Sequence, residues 1–335
     1  MIQNVVINKN FSAELPADFT GGLLNIETKD FPDRKTIKLS LGTSYNPNFH
    51  FNPNYLSYQG GSTDFLGFDD GTRALPAGTS GFVPTPYTPG ASDQLVNSFI
   101  QRFSPILAAE KQLSILDLSL SFSMGNQIQL LNKAKEKTGK KLGYIFSLSY
   151  KSDYKHYDNV EYGDYQRQFE ADSFSLKQAN IQTGTLSERS YLLAGIAGLA
   201  YKTQRSKLKF TVMHLQNAES RAGKFNIINN ADAVGQSGYE AVSDNLEYNQ
   251  RSLTNVLLAG KHSFKKGDWN LDWKLSPTYS SSKDPDIRKT SFSYDGSYNF
   301  AAGEAGNPNR IWRSLSELNA TAKVDVTKNM KIKEN

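Results

Sequence analysis

Asp117-Leu118-Ser119-Leu120-Ser121-Phe122-Ser123-Met124-Gly125 alternates an apolar with a small or polar side chain at every step. Side chains on a strand point to opposite faces in turn, so this stretch makes one apolar and one wet face. The same period recurs in Ile37, Leu39, Leu41, Thr43 and Tyr45 against Lys38, Ser40, Gly42 and Ser44. It recurs again in Leu142, Tyr144, Phe146, Leu148 and Tyr150, and in Trp269, Leu271, Trp273, Leu275 and Tyr279. A tilted strand crosses a bilayer in about 9–11 residues, which is the length of these segments. The pattern predicts an all-β chain forming an antiparallel transmembrane β-barrel wall.

Working outward, eight strands are expected at about 36–46, 114–129, 141–155, 189–203, 207–217, 251–264, 268–281 and 315–327. The fourth and fifth, rich in Gly and Ala, carry the weakest alternation. Short charged turns at 132–140, 204–207 and 265–268 alternate with long connections at 47–113, 156–188, 218–250 and 282–314. Outer-membrane barrels segregate short periplasmic turns from long extracellular loops in this way. Polar wall positions, among them Lys38, Asp117, Lys151, Asp272, Lys274, Lys323 and Asp325, are expected to face the lumen.

Composition agrees with a barrel. Only 38% of the 335 residues are hydrophobic, and the mean hydropathy is -0.53. No run approaches the ~18 apolar residues of a membrane helix. A barrel tolerates this because alternate residues face a polar interior. The chain has no cysteine, which removes disulfide, thiolate-metal and thiol chemistry. The +5 net charge is scattered, without the basic stripe that nucleic-acid binding needs.

No catalytic constellation is present. His50, His156, His214 and His262 form no HExxH or paired motif, and no phosphate loop or nucleophile elbow occurs. No metal site and no cofactor are expected, and the chain is not expected to be an enzyme. Asp64-Phe65-Leu66-Gly67-Phe68-Asp69-Asp70-Gly71 gathers carboxylates as a cation loop would, without a known calcium spacing. A solvated turn buttressed by Phe65 and Phe68 is the expectation there; Asp284-Pro285-Asp286 is read as a turn too. Aromatic and amide residues in the long connections, including Tyr55, Tyr58, Tyr87, Tyr157, Tyr162, Tyr165, Tyr294 and Tyr298, suit sugars, peptides or aromatic chelates. Segments 158–165 and 301–308 are expected to be ordered loops folding into the barrel mouth.

Residues 15–29 stand apart: Leu15-Pro16-Ala17-Asp18-Phe19-Thr20-Gly21-Gly22-Leu23-Leu24-Asn25-Ile26-Glu27-Thr28-Lys29. This resembles the end of the plug domain of TonB-dependent outer-membrane receptors, in which a Gly-Gly precedes an apolar-Asn-Ile-x-Thr-Lys strand. Asp18, Phe19, Gly21, Gly22, Asn25, Ile26, Thr28 and Lys29 carry the motif. Asp30-Phe31-Pro32-Asp33-Arg34-Lys35 and Asn46-Pro47-Asn48-Phe49-His50-Phe51-Asn52 look like the Bacteroidetes-type receptors. The resemblance implies the C-terminal part of a plug domain at 1–34 and the N-terminal part of a barrel at 35–335, about eight strands of a larger plugged wall. No signal peptide opens the chain and no terminal aromatic strand closes it, so a fragment is expected.

The implied activity is TonB-dependent uptake of a siderophore, cobalamin, glycan or peptide across the bacterial outer membrane. Outer-membrane lipid, the TonB energy-transducing complex, a small nutrient ligand and a surface lipoprotein lid are the implied partners. A non-transporting outer-membrane β-barrel scaffold or adhesion protein is the competing reading. Eight strands of a larger wall would leave two open edges, which lipid penalises by several kcal/mol per unpaired group.

Overall fold

The computed structural model describes residues 2–11, 21–28, 32, 34–76, 84–85, 87–131, 137–168, 174–230, 239–264, 267–294, 297–299 and 308–329. An opening antiparallel pair joins β1 (Ile2–Asn8) to β2 (Leu23–Thr28). These two strands form their own sheet. Then comes β3 (Thr36–Ser44), followed by a long segment holding β4 (Leu56–Ser57), α1 (Asp93–Ile100) and β5 (Glu110–Lys111). The chain continues through β6 (Asp117–Leu131), β7 (Lys137–Arg167), β8 (Leu176–Lys202) and β9 (Ser206–Asn229). It ends with β10 (Tyr239–Phe264), β11 (Trp269–Tyr294), the two-residue β12 (Tyr298–Asn299) and β13 (Asn309–Lys328).

All eight expected strands are present and pair antiparallel in the order β3-β6-β7-β8-β9-β10-β11-β13, with β12 added at one end of β11. The sheet is open. β3 pairs only with β6, and β13 only with β11, among the described residues.

The strands are far longer than expected. At 31 residues β7 rises about 100 Å. The expected long connections at 156–188, 218–250 and 282–314 are therefore mostly wall, with strand running to Arg167, from Leu176, to Asn229, from Tyr239, to Tyr294 and from Asn309. Residues 158–165 are not a folded-back loop but part of β7. Segment 301–307 lies outside the described residues. Asp284-Pro285-Asp286 is not a turn but lies within β11.

Two bulges explain why alternation hid this extension. Tyr157 and Val160 oppose Leu186 and Gly184, so β7 carries one extra residue there. Leu246 and Gln250 oppose Arg288 and Lys283, so β11 carries another. Asn159 and Asp286, both at φ 58, occupy these bulges. An extra residue flips the parity of everything beyond it, so a period-two count fails across it.

Register fixes the two faces. Leu39, Phe122, Leu148, Gly195, His214, Thr254, Tyr279 and Leu318 form one cross-strand row. On that same face Leu41, Leu120, Phe146, Leu199, Phe210, Leu258, Leu275 and Val324 are 38–74% exposed. They form a continuous apolar band, larger than a monomer normally leaves uncovered. The opposite face carries Lys38, Ser121, Ser149, Lys151, Lys274 and Lys323 on the strands toward the two ends of the sheet, and Leu192, Ile196, Leu215 and Leu253 on the central β8, β9 and β10. Higher on this polar face, Lys155, Glu188, Arg221 and Glu247 align across four strands, with ion pairs of 3.6, 3.1 and 3.9 Å between neighbours. By register Asp117 shares the face of Lys38. Its carboxylate accepts from the Tyr154 backbone at 2.8 Å and meets His50 at 2.9 Å, tying strand to strand.

Gly184 is demanded by this packing. A Cβ there would lie 1.9 Å from the Lys224 carbonyl oxygen on β9, a backbone atom that cannot step aside. Gly184→Ala is expected to destabilise the refolded chain by about 1–3 kcal/mol, as overpacking does, read as a lower denaturation midpoint.

Candidate functional site

Between β3 and β6 the chain does not loop away into solvent. The described residues of 45–116 form a strap lying across the upper part of the wall, on the same face as the apolar band. The Leu56 backbone donates to Ser187 Oγ on β8 at 2.8 Å, and the Asp69 backbone to Gln250 on β10 at 2.7 Å. Gln216 on β9 donates to the Gly67 carbonyl. Asp244 accepts from the Ala109 backbone at 3.0 Å, Arg288 donates to the Ile106 carbonyl at 2.7 Å, and Arg310 to the Ser104 carbonyl at 3.0 Å. Leu56, Tyr58 and Ala109 pack with Ala222 and Leu246 in one buried cluster. Polar backbone buried against a sheet must find partners, and these strand side chains supply them. Helix α1 is capped by Ser92, whose hydroxyl accepts from the Leu95 backbone, and it buries Val96 and Phe99.

At the centre of the strap sits Arg73, with 2% of its side chain exposed. Its guanidinium donates to both oxygens of Asp64, at 2.8 and 2.6 Å, and to Asp69 at 3.1 Å. It also lies 4.2 Å over the Tyr248 ring. The acidic stretch Asp64–Gly71 thus does wrap a cation, and the cation is this side chain. Phe65 and Phe68 do not buttress it: they are 51% and 38% exposed. Gly60 permits the approach, since a Cβ there would meet Asp64 Oδ2 at 2.1 Å and Arg73 Nη2 at 2.3 Å. A second pin lies at the β11 bulge. Asp286 pairs with Arg288 at 2.8 Å and also with Arg310, and both arginines hold the strap.

Asp70 behaves differently from its acidic neighbours. Hydrogen bonds from the Thr72 and Ser62 hydroxyls and backbone amides, at 2.6–3.1 Å, hold its carboxyl well below the usual carboxylate range. A depressed folded value contributes stability above the unfolded value of about 3.9, and that contribution fades as pH falls through the folded one. Hydrogen-exchange protection factors in residues 60–73, corrected for the intrinsic rate, are expected to fall on acidification below about pH 4. In Asp70→Ala this acid-sensitive component should be absent.

The four histidines are satisfied by protein groups. His50 meets Asp117, His156 meets Ser187 and Asp158, His214 meets Thr254, and His262 meets Ser206 and Trp273. Among the described residues no cluster of histidines and carboxylates is placed to hold a metal ion. The tyrosines divide. Tyr55 and Tyr58 belong to the strap and are buried, 3% and 9% exposed, and burial pushes both phenols up. Tyr87 stands 94% exposed, while Tyr157, Tyr162 and Tyr165 belong to β7, not to a loop. Tyr294 closes β11, and Tyr298 is 67% exposed in β12.

Within the Gly-Gly motif, Gly21 and Gly22 are exposed just before β2. Asn25, Ile26 and Thr28 pair with Val6, Val5 and Ile2. Asp18, Phe19 and Lys29 lie outside the described residues.

Between strap and wall lies a cavity of about 310 Å³, lined in part by Tyr55, Gln59, Gln112, Arg189, Tyr191 and Ser220. Arg73 and Arg189 are the residues that sequence patterning missed. Neither lies in a recognisable motif, and each also depends on a ring from a distant strand, Tyr248 for Arg73 and Tyr154 for Arg189.

No family model, characterised protein or solved structure matches the chain.

Proposed function

We propose that the chain is wall from a plugged outer-membrane transporter that takes up a scarce nutrient by TonB-dependent active transport. The observation carrying this reading is the two-faced sheet, with its exposed apolar band backed by serines and lysines on β3, β6, β7, β11 and β13. A band of that height suits lipid, and a polar opposite face suits a water-filled interior. One further feature supports it. Each edge strand keeps one side unpaired among the described residues, as in a sheet with further strands to pair.

In this reading the chain itself makes and breaks no bonds. The β1–β2 pair belongs to the plug, which rearranges when the inner-membrane motor pulls through TonB. The wall above the band stands outside the membrane, where a surface lipoprotein lid would meet it. Substrate passes along the polar face. The test is uptake by cells carrying the whole protein. Growth on iron chelates, cobalamin, glycans or peptides, each as the limiting nutrient, should depend on the protein for one class and be abolished when TonB is inactivated. Growth that depends on the protein but not on TonB would contradict active transport. Growth indifferent to the protein on every class would favour a scaffold.

A further inference from the structure

We propose that the cavity between strap and wall is a binding site for the carboxylate of an acidic sugar, with Arg189 as its anchor. Arginine side chains within a packed region are normally matched by a carboxylate, because an unpaired buried charge is costly. Arg189 has none: among the described residues no carboxylate lies within ion-pair distance of it. It is held instead by rings, 4.5 Å over Tyr154 and 5.0 Å over Tyr191. Its Nε is buried and lacks a hydrogen-bond partner. Two aromatic faces flank the guanidinium, and the residue borders a partly open space of about 310 Å³. A planar fork held rigidly and left unfilled matches a planar oxyanion.

The rest of the wall narrows the class. Gln59, Gln112 and Ser220 border the same space, offering amide and hydroxyl groups of the kind that bind sugar hydroxyls. Tyr55 and Tyr191 add ring surface. Asp64 also borders it, with both oxygens taken by Arg73. One free guanidinium beside a neutralised carboxylate balances a single negative charge. It suits a carboxylate better than a phosphate dianion. Arg189 and Tyr191 share a face with the apolar band, so the site opens on the band's side of the wall and not on the polar face. It is therefore separate from the transport path and does not depend on the uptake reading.

The test is calorimetric titration of the whole purified protein in detergent with glucuronate, glucose, acetate and glucose 6-phosphate. Glucuronate should saturate one site and bind at least about tenfold more tightly than the other three, since a charge-assisted bond and the hydroxyl contacts are each worth that factor. Arg189→Gln should lower glucuronate affinity about tenfold or more without moving the thermal midpoint, and Arg189→Lys should fall between. A glucuronosyl diacylglycerol in mixed micelles gives the second arm. Equal affinity assigns the site to free saccharide, and a tenfold preference for the lipid assigns it to a membrane glycolipid; both uphold the carboxylate site. Equal binding of glucose and glucuronate, tighter binding of glucose 6-phosphate, or unchanged affinity in Arg189→Gln would overturn it.

Discussion

Replacing Arg73 with methionine is expected to free the strap from the wall. The guanidinium neutralises Asp64 and Asp69, whose side chains are 14% and 12% exposed, and it stacks on Tyr248, a ring with 0% exposure. Methionine keeps the volume and removes every one of those bonds, leaving two carboxylates without their cation. Breaking such a buried pair from one side costs about 3–5 kcal/mol. The wall strands retain their own ladders, so the loss should be local. Limited proteolysis should cut within residues 45–116 of Arg73→Met while sparing β7 to β11. Arg73→Lys, which keeps the charge without the two-pronged geometry, should lose less. A strap equally resistant in all three proteins would mean that the apolar cluster around Leu56 and Leu246 holds it unaided.

The second large effect concerns neighbouring residues on opposite faces. Leu148 sits in the apolar band, 44% exposed, and Ser149 borders a cavity of about 210 Å³ on the polar face. Leu148→Arg should cost about 2–4 kcal/mol when the protein folds into lipid vesicles, the penalty for a cation near the bilayer midplane. Ser149→Arg should cost close to nothing, having water and space to enter. The side chains are adjacent in sequence, so helix or strand propensity cannot produce the difference. Equal penalties for the two substitutions would remove the lipid from the argument.

How far the sequence carried these conclusions depends on which physical signal each region emits. Strand positions were legible where one face is apolar, because hydropathy then alternates with the backbone; β3, β6 and the lower parts of β7 and β11 are of this kind. Higher up, Lys155, Glu188, Arg221 and Glu247 sit on one face while Ser187 and Ser220 sit on the other. Two polar faces leave no period to count, and the bulges at Asn159 and Asp286 break parity as well. Those stretches therefore resemble loops in sequence although they are strand. The strap was illegible for another reason. Its fold rests on contacts such as Ala109 with Asp244 and Trp312 with the Arg73 carbonyl, at 3.0 and 2.8 Å, between residues more than a hundred positions apart. The carboxylates of Asp64–Gly71 did announce a cation, but residue type alone does not say whether that cation is a metal or an arginine.

The apolar band remains the centre of the account, and the chain's own composition makes it accessible to measurement. With no native cysteine, single cysteines at positions 144–151 of β7 report without background on what each side chain touches in the native membrane. The account predicts a period of two: Phe146→Cys and Leu148→Cys shielded from a water-soluble maleimide and quenched by bromine on lipid acyl chains, with Ser147→Cys and Ser149→Cys labelled by the maleimide and unquenched. Labelling by the aqueous reagent at every position, with no quenching from the lipid, would contradict it.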